Sequence, residues 1–351
     1  MGYKNAMSTA LPDIDGLPRD ELAGLLEANG IGAVHANRVM SAIHREGLEP
    51  HEITDLGPRK SAALQTLVRR ATTTVVDEVH ADDGTQKLVF GLRDGKQVES
   101  VLIPMGRDRY SLCVSSQVGC AMDCDFCATA RLGLARGLEP GEIVAQVREA
   151  QRRIGRLHNV VFMGMGEPLH HYDATTRAIR VLVDHLGPAQ PLKSITVSTV
   201  GLVNRIDQLA HEFQGRIQLA VSLNAGTEAT RLALMPITKT WSMEALRAAV
   251  ARYPRANSRK YVLVEYVLLA GVNDTPPELE GLIAWARGLD VLVNLIPWNP
   301  FDGADFRSPG EEATQRVLAT LRQAGIPATI RQTRGRKANA ACGQLALAGA
   351  R

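Results

Sequence analysis

Four of the chain's five cysteines fall between residues 113 and 127, in the string Cys-Val-Ser-Ser-Gln-Val-Gly-Cys-Ala-Met-Asp-Cys-Asp-Phe-Cys. Cys120, Cys124 and Cys127 have the spacing C-x3-C-x2-C, which lets three thiolates on one tight loop converge on a single centre, with Gly119 freeing the backbone to turn in at the first. Three soft ligands suit iron–sulfur or zinc. A structural zinc site takes four protein ligands in paired C-x2-C knuckles, and neither a second knuckle nor an H-x3-H follows downstream. Three thiolates and one vacancy therefore favour a 4Fe–4S cluster with an open iron. Buried apolar cysteines or a disulfide loop explain one or two of these residues, not three at this spacing.

The rest of the composition bounds the setting. With 351 residues, 45% of them hydrophobic, the chain fills one large domain and a small accessory one. A formal net charge of only +3 makes no whole-chain electrostatic case for nucleic acid, so any such surface is local. Five cysteines without a secretory start point to a reducing cytoplasm, and no apolar run is long enough to span a bilayer.

Three zones follow in order. Residues 1–71 read as a loose tail and a helical accessory module, with Leu22, Leu25, Leu26, Val39, Met40, Ile43, Leu64 and Leu67 at helical spacing. Its basic side chains, Arg38, His44, Arg45, Arg59, Lys60, Arg69 and Arg70, are candidates for RNA contact or a solvated face. Residues 72–105 switch to strand period, with Asp83-Gly84 and Asp94-Gly95 as turns, predicting a three-stranded meander. Glu99 falls in its last strand, where the local pattern makes it solvent-facing. From 106 to 351 apolar strands at 112–114, 160–163, 195–197, 217–223, 261–269, 292–296 and 328–330 alternate with amphipathic helices such as 142–154 and 279–289. That alternation predicts an α/β fold, a partial (β/α)6 barrel of parallel strands. Thr275-Pro276-Pro277-Glu278 and Ser308-Pro309-Gly310-Glu311 read as capping boxes.

Chemistry in such barrels gathers at the carboxyl ends of strands. There stand Gly164-Met165-Gly166-Glu167-Pro168, Ser198-Thr199, Ser222-Leu223-Asn224, Asn294 and Pro297-Trp298-Asn299. The glycines invite close approach of a ligand, and Glu167 suits an ammonium group. The fifth cysteine, Cys342, lies among small residues in Asn339-Ala340-Ala341-Cys342-Gly343-Gln344, after the basic stretch from Arg331 to Lys337. Such a thiol is mobile and accessible, which favours chemistry over packing.

The cysteine spacing resembles that of the radical S-adenosylmethionine (SAM) superfamily. Cys113-Val-Ser-Ser-Gln-Val-Gly-Cys120, Gly164-Met-Gly-Glu-Pro-Leu169, Ile195-Thr-Val-Ser-Thr199, Met235-Pro-Ile237, Gly271-Val-Asn-Asp274 and Ala341-Cys-Gly-Gln344 together resemble the RlmN/Cfr family of radical SAM RNA methyltransferases over nearly the whole length. Glu167-Pro168 is similar to the RlmN branch, which methylates carbon 2 of adenosine in 23S ribosomal RNA and in transfer RNA; the Cfr branch acts at carbon 8. The resemblance implies a 4Fe–4S cluster on Cys120, Cys124 and Cys127. It implies SAM held by Gly166, Glu167, Ser198, Ser222, Leu223, Asn224 and Asn299, and two SAM per turnover. By the same resemblance, Cys342 takes a methyl group from one SAM, and an adenosyl radical from the second abstracts hydrogen from that S-methyl group. The carbon radical adds to the adenine. Cys113 then attacks the Cys342 thioether, leaving a disulfide that external thiols reduce, and Glu99 matches a proposed proton acceptor. A flavodoxin or ferredoxin as electron donor, and a monomer, complete the implied setting.

Departures from the pattern are Asn224 where histidine is usual, Ala338-Asn339 where an isoleucine–aspartate pair is usual, and Gly137 where asparagine is common. Asparagine keeps a donor and an acceptor but takes up no proton. Two rival readings stand beside this one: carbon-8 methylation, and a metal-stabilised RNA-binding module without catalysis.

Overall fold

The computed structural model describes residues 11–106, 108–255, 261–332, 334–335 and 340–346. Most of the expected tail, and the Lys337, Ala338 and Asn339 positions, lie outside the described residues.

Three short helices open the chain: α1 (Arg19–Ala28), α2 (Ala36–Ser41), which runs on as a π-helical turn over Ala42–Glu46, and α3 (Pro58–Leu67). Leu22, Leu26, Val39, Met40, Ile43 and Leu64 are fully buried, so the helical spacing names the inward face. Gly47, at φ +72°, ends the second helix in the left-handed region. Most of the module's cations are committed internally. Arg38 bonds Asp55 and Glu46, Arg45 bonds the His185 carbonyl, Arg69 reaches Glu139 and Arg70 reaches Asp15.

The meander forms as β1 (Thr74–His80), β2 (Gln86–Gly91) and β3 (Gln97–Pro104), all antiparallel, with Gly84 and Gly95 at φ +80° and +77° in the turns. β3 then pairs antiparallel with β4 (Tyr110–Cys113), which joins the meander to the main sheet edge to edge. After a side hairpin, β5 (Gln117–Gly119) and β6 (Leu134–Gly137), come β7 (Asn159–Phe162), β8 (Ile195–Thr199), β9 (Gln218–Ser222), β10 (Val262–Leu268), β11 (Val291–Pro297) and β12 (Ala328–Ile330). From β4 onward each pairs parallel with the next. The crossovers carry α4 (Pro140–Ile154), α5 (Tyr172–Val183), α6 (Val203–Phe213), α7 (Glu228–Leu234) with α8 (Met243–Arg252), α9 (Pro276–Ala286) and α10 (Glu311–Gln323). Among the described residues the sheet order is β1-β2-β3-β4-β7-β8-β9-β10-β11-β12, with β1 and β12 at its edges and the barrel open. This is the expected partial α/β barrel. No helix among the described residues is long and apolar enough to cross a membrane.

The two expected capping boxes do not form. Thr275 makes no side-chain cap bond, and α10 is capped at Gly310. Glu278 reaches instead across to the N-terminus of α7, accepting from Gly226 N at 2.6 Å, Thr227 Oγ1 at 2.6 Å and Thr230 Oγ1 at 2.7 Å. A carboxylate satisfies a neighbouring helix's orphan N–H groups as well as its own. Capping boxes form elsewhere: Glu139 with Glu142 starts α4, and Glu49 with Glu52 starts the short turn Pro50–Glu52.

Between the N-terminal module and α4, Asp15 is buried and bonds both Arg70 and Arg148. His44 packs beside them with both ring nitrogens buried and unpartnered, and burial pushes its pKa down to about 4 from 6.5. The unfolded chain therefore binds more protons in that window, so the stability a neutral His44 permits is present above about pH 6.5 and lost as pH falls toward about 4. His44→Met is expected to flatten the fall in unfolding midpoint between about pH 7 and about pH 4. Equal slopes for the two proteins in a thermal scan series would count against it.

Candidate active site

β4 ends at Cys113, and the hairpin that follows carries the clustered cysteines between its strands. Gly119 has φ +76°, and a Cβ there would meet the Gly133 carbonyl oxygen at 1.7 Å, so only glycine lets the two strands cross at the first ligand position. Backbone bonds pin the loop: Cys120 N to Gly133 O at 3.0 Å, Cys127 N to Cys124 O at 3.0 Å and Asp125 N to Leu234 O at 3.1 Å. Trp298 Nε1 donates to Phe126 O at 3.0 Å. Met122, Phe126, Leu234, Met235, Leu269 and Trp298 form an apolar jacket around the thiols, distinct from the main core. Burial pushes the Cys120 thiol up to about 12 and also raises Cys124 and Cys127. Metal binding to these thiols must therefore release protons.

Three adjoining cavities share their walls. The three thiols line one of about 130 Å³ together with Gly166, Glu167 and Ser222. A second, of about 150 Å³, shares those last three residues and adds Ser198, Glu265, Arg331 and Cys342. The third, of about 570 Å³, runs from Cys342 and Arg331 past Glu265 and Asn294 into the barrel interior, as far as Asn159 and Gln218 at strand starts. Among the described residues no three His, Cys, Asp or Glu donors gather tightly enough to hold a single ion. Three soft thiols on one cavity wall inside an apolar jacket are of the donor type that holds an iron–sulfur cluster.

Glu167 is buried, and its carboxylate accepts from Val200 N at 2.8 Å and Leu169 N at 3.0 Å; burial still pushes its pKa up to about 7. The glycines before it are demanded by packing, and both line the two smaller cavities. A Cβ on Gly166, at φ +99°, would meet Gln117 Cβ at 2.5 Å, and one on Gly164 would meet Ser115 Oγ at 2.7 Å. Asn224 sits at φ +58° and braces two strand ends: its Oδ1 accepts from Val267 N at 2.8 Å, while its carbonyl accepts from Asn273 Nδ2 at 2.8 Å. Leu223 is buried in the main core; its carbonyl accepts from Arg231 Nε at 3.2 Å, and it lines none of the three cavities. Gly137 is explained by His171, whose ring lies 2.4 Å from where a Cβ would stand.

Cys342 reaches the site because residues 341–346 are tied down by hydrogen bonds. Ala128 N donates to Gly343 O at 2.8 Å, Thr129 Oγ1 to Leu345 O at 2.6 Å, Gln344 Nε2 to Pro300 O at 2.7 Å and Asn299 Nδ2 to Cys342 O at 3.2 Å. Cys113 is buried close by; burial, and next the neighbouring Cys342, push its thiol up to about 12. Glu99 is not solvent-facing. It is buried, ion-paired to Lys87 at 2.9 Å, and accepts from Ala346 N at 3.0 Å, making it another anchor of the C-terminal segment.

Two residues of the site escaped notice as site residues in the sequence. Glu265 is buried on β10, takes a bond from Asn294 Nδ2 at 3.0 Å and leaves Oε2 without a hydrogen-bond partner, 3.9 Å from Arg331 Nη1. Its signal is an acid interrupting the apolar run Val-Leu-Val-Glu-Tyr-Val-Leu. Arg331, which the sequence shows only as the start of a basic run, turns inward, where Cys342 and Glu265 hold its guanidinium more firmly charged. Asn299 Oδ1 is likewise buried and unpartnered. Orphaned acceptors facing a cavity are what a ligand with N–H or O–H donors would satisfy.

Residues 114–283 match the family model of the radical SAM superfamily. The chain is 42% identical to the dual-specificity RNA methyltransferase RlmN of Syntrophobacter fumaroxidans over 332 residues, 93% of this chain and 95% of that one. It is 41% identical to the protein of the same name from Anaeromyxobacter dehalogenans, over 96% of this chain and 92% of that one. A solved radical SAM methyltransferase from Sphaerobacter thermophilus superposes with a TM-score of 0.87 at 43% identity, covering 95% of this chain and 99% of its own. With its soft-ligand loop at the open mouth of a parallel barrel and this likeness along its length, the chain belongs to the RlmN family of radical SAM RNA methyltransferases.

Proposed function

We propose that this protein methylates carbon 2 of an adenosine in ribosomal RNA, transfer RNA or both, with Cys342 as the carrier of the transferred carbon. The observation that supports this most directly is the convergence of Cys342 with the wall formed by Glu167, Ser198 and Ser222. The RlmN name of the relatives and the Glu167-Pro168 pair favour carbon 2 over carbon 8.

Cys120, Cys124 and Cys127 would hold a 4Fe–4S cluster, and Gly166, Glu167, Ser198, Ser222, Asn224 and Asn299 would line the place of SAM. Bound there, cluster and SAM supply one-electron cleavage of a sulfonium and hence a hydrogen-abstracting adenosyl radical. The chain's own residues do the rest. Cys342 offers a thiol on a hydrogen-bonded segment and accepts a methyl group as nucleophile. Carbon 2 of adenine is not nucleophilic, so a carrier thioether that can be made a carbon radical solves what direct transfer cannot. Cys113, whose thiol feels the charge of Cys342, would attack the thioether sulfur and release the product, leaving a Cys113–Cys342 disulfide for external thiols to reduce. Two SAM would be needed per turnover, one to methylate Cys342 and one as the source of the radical. Glu99 would act as proton acceptor on this reading; its Oε2 anchors Ala346 N, while its Oε1, ion-paired to Lys87, accepts no hydrogen bond. The partners are an RNA, and a low-potential electron donor of the flavodoxin or ferredoxin class.

Mass spectrometry of nucleosides from RNA of cells lacking and overproducing the protein tests the reaction. We expect 2-methyladenosine to rise with the protein; 8-methyladenosine alone would overturn the carbon assignment, and identical profiles the methylation itself. Cys113→Ala is expected to accumulate protein joined covalently to RNA through Cys342, whereas free, fully methylated RNA would show that Cys113 is not the resolving thiol. Anaerobic analysis should find about four irons with matching sulfide per chain. Gly119→Ala, which keeps every cysteine, is expected to lose most of that iron because its Cβ has no room; zinc without sulfide in the parent chain would favour the binding-module reading.

A further inference from the structure

Arg231, on α7, is 1% exposed, the bulkiest side chain buried to that degree among the described residues. A guanidinium withdrawn from water normally takes a carboxylate partner. This one bonds only neutral oxygens: Nε to Leu223 O at 3.2 Å, Nη1 to Thr238 Oγ1 at 2.8 Å, and Nη2 to Val200 O at 2.6 Å and Ser222 O at 3.3 Å. Those acceptors fix the group in place and leave its charge uncancelled. Glu228, the acid whose field it feels, is exposed and spends its carboxylate on Met243 N at 2.9 Å. Burial pushes Arg231 down only to about 10, so it is cationic at neutral pH.

The position of that cation is specific. Val200 and Ser222, whose carbonyls it bonds, form part of the wall of the cavity lined by Cys120, Cys124 and Cys127. Leu234, at the end of the same helix, accepts from Asp125 N within the cysteine loop. Arg231 and Cys124 lie within each other's field. The apolar jacket of Met122, Phe126, Leu234, Met235 and Trp298 keeps water from screening charge between them.

We propose that Arg231 is a built-in countercharge for the metal centre, a positioning residue that favours the one-electron-reduced cluster and raises its midpoint potential. The inference rests on the cluster reading of the three thiols. Reduction adds one negative charge to a water-poor pocket, and a fixed cation behind its wall offsets that charge where solvent cannot.

The test compares Arg231→Gln, which removes the charge, with Arg231→Lys, which keeps it while disturbing the same hydrogen bonds. Each is reconstituted anaerobically beside the unaltered chain, and iron and sulfide content are measured first; a parent chain without iron would sink the cluster reading itself. Midpoint potentials then come from redox titration followed by electron paramagnetic resonance. Arg231→Gln is expected to lower the equilibrium constant for reduction at least tenfold, about 59 mV for one electron, with Arg231→Lys within about threefold of the parent. Unchanged potentials in both variants, or equal shifts in both, would overturn the proposal. If Arg231→Gln holds no cluster, Arg231→Lys decides: a near-parent potential supports the countercharge, while a tenfold drop, or failure to hold iron on an intact fold, overturns it.

Discussion

The site depends on a join made late in the chain: Thr129 Oγ1 donates to Leu345 O across 216 positions of sequence, beside the Ala128 N to Gly343 O bond. Closing so long a loop costs configurational entropy, although that cost grows only slowly with length. The sheet has already met most of it. β12 pairs with β11 and delivers the chain to the barrel mouth, so the final segment needs only a handful of bonds to settle against the cysteine loop. Without those bonds Cys342 would be an isolated thiol on a polar tail, and the other cysteines would face an empty wall.

A second constraint concerns charge. The barrel mouth buries Glu167, Glu265 and Arg231 and partly covers Arg331, and the three buried groups are stabilised differently. Glu167 leans on two backbone amides, Glu265 on Asn294 and a distant Arg331, and Arg231 on carbonyl oxygens. None is cancelled by a close carboxylate–guanidinium pair. Partial satisfaction of this kind is costly in a site that stays empty and favourable in one completed by charged ligands. An amino acid sulfonium with a ribose, and an anionic cluster, are ligands of that character.

The strands and most helices were legible because parallel strands covered on both faces must be apolar throughout, and amphipathic spacing exposes the helices between them. The cysteine motif was legible because three thiols at that spacing have few other uses. What was not legible depends on tertiary reach. Glu278 looked like its own helix's capping residue and serves α7 instead, since a carboxylate is indifferent to which orphan amide it accepts from. Glu99 lies on a strand whose partner face is covered by a segment 247 positions away, which no local pattern reveals. Gly166 suggested a ligand's approach, yet the atom that demands glycine belongs to Gln117. Arg231 is simply an arginine in a short helix until its surroundings are known.

On the proposed function Cys342 would have to meet a methyl donor, a radical, an RNA base and a second thiol, which one rigid position does not allow. The way the segment is held reconciles these demands. Ala340, Ala341 and Leu345 are buried, but Cys342 and Gly343 between them are only partly covered, and Gly343 stands at φ +82°. The tethers run mainly through backbone carbonyls, each worth about 1 kcal/mol net, so losing one or two shifts the thiol without unfolding the segment. Apolar burial of the cysteine itself would have fixed it far more firmly, at roughly 25 cal/mol per Å² of surface removed from water. Anchored through its neighbours and itself only partly covered, Cys342 lines both the cavity beside Glu167 and the barrel interior, which meet at Cys342 and Arg331.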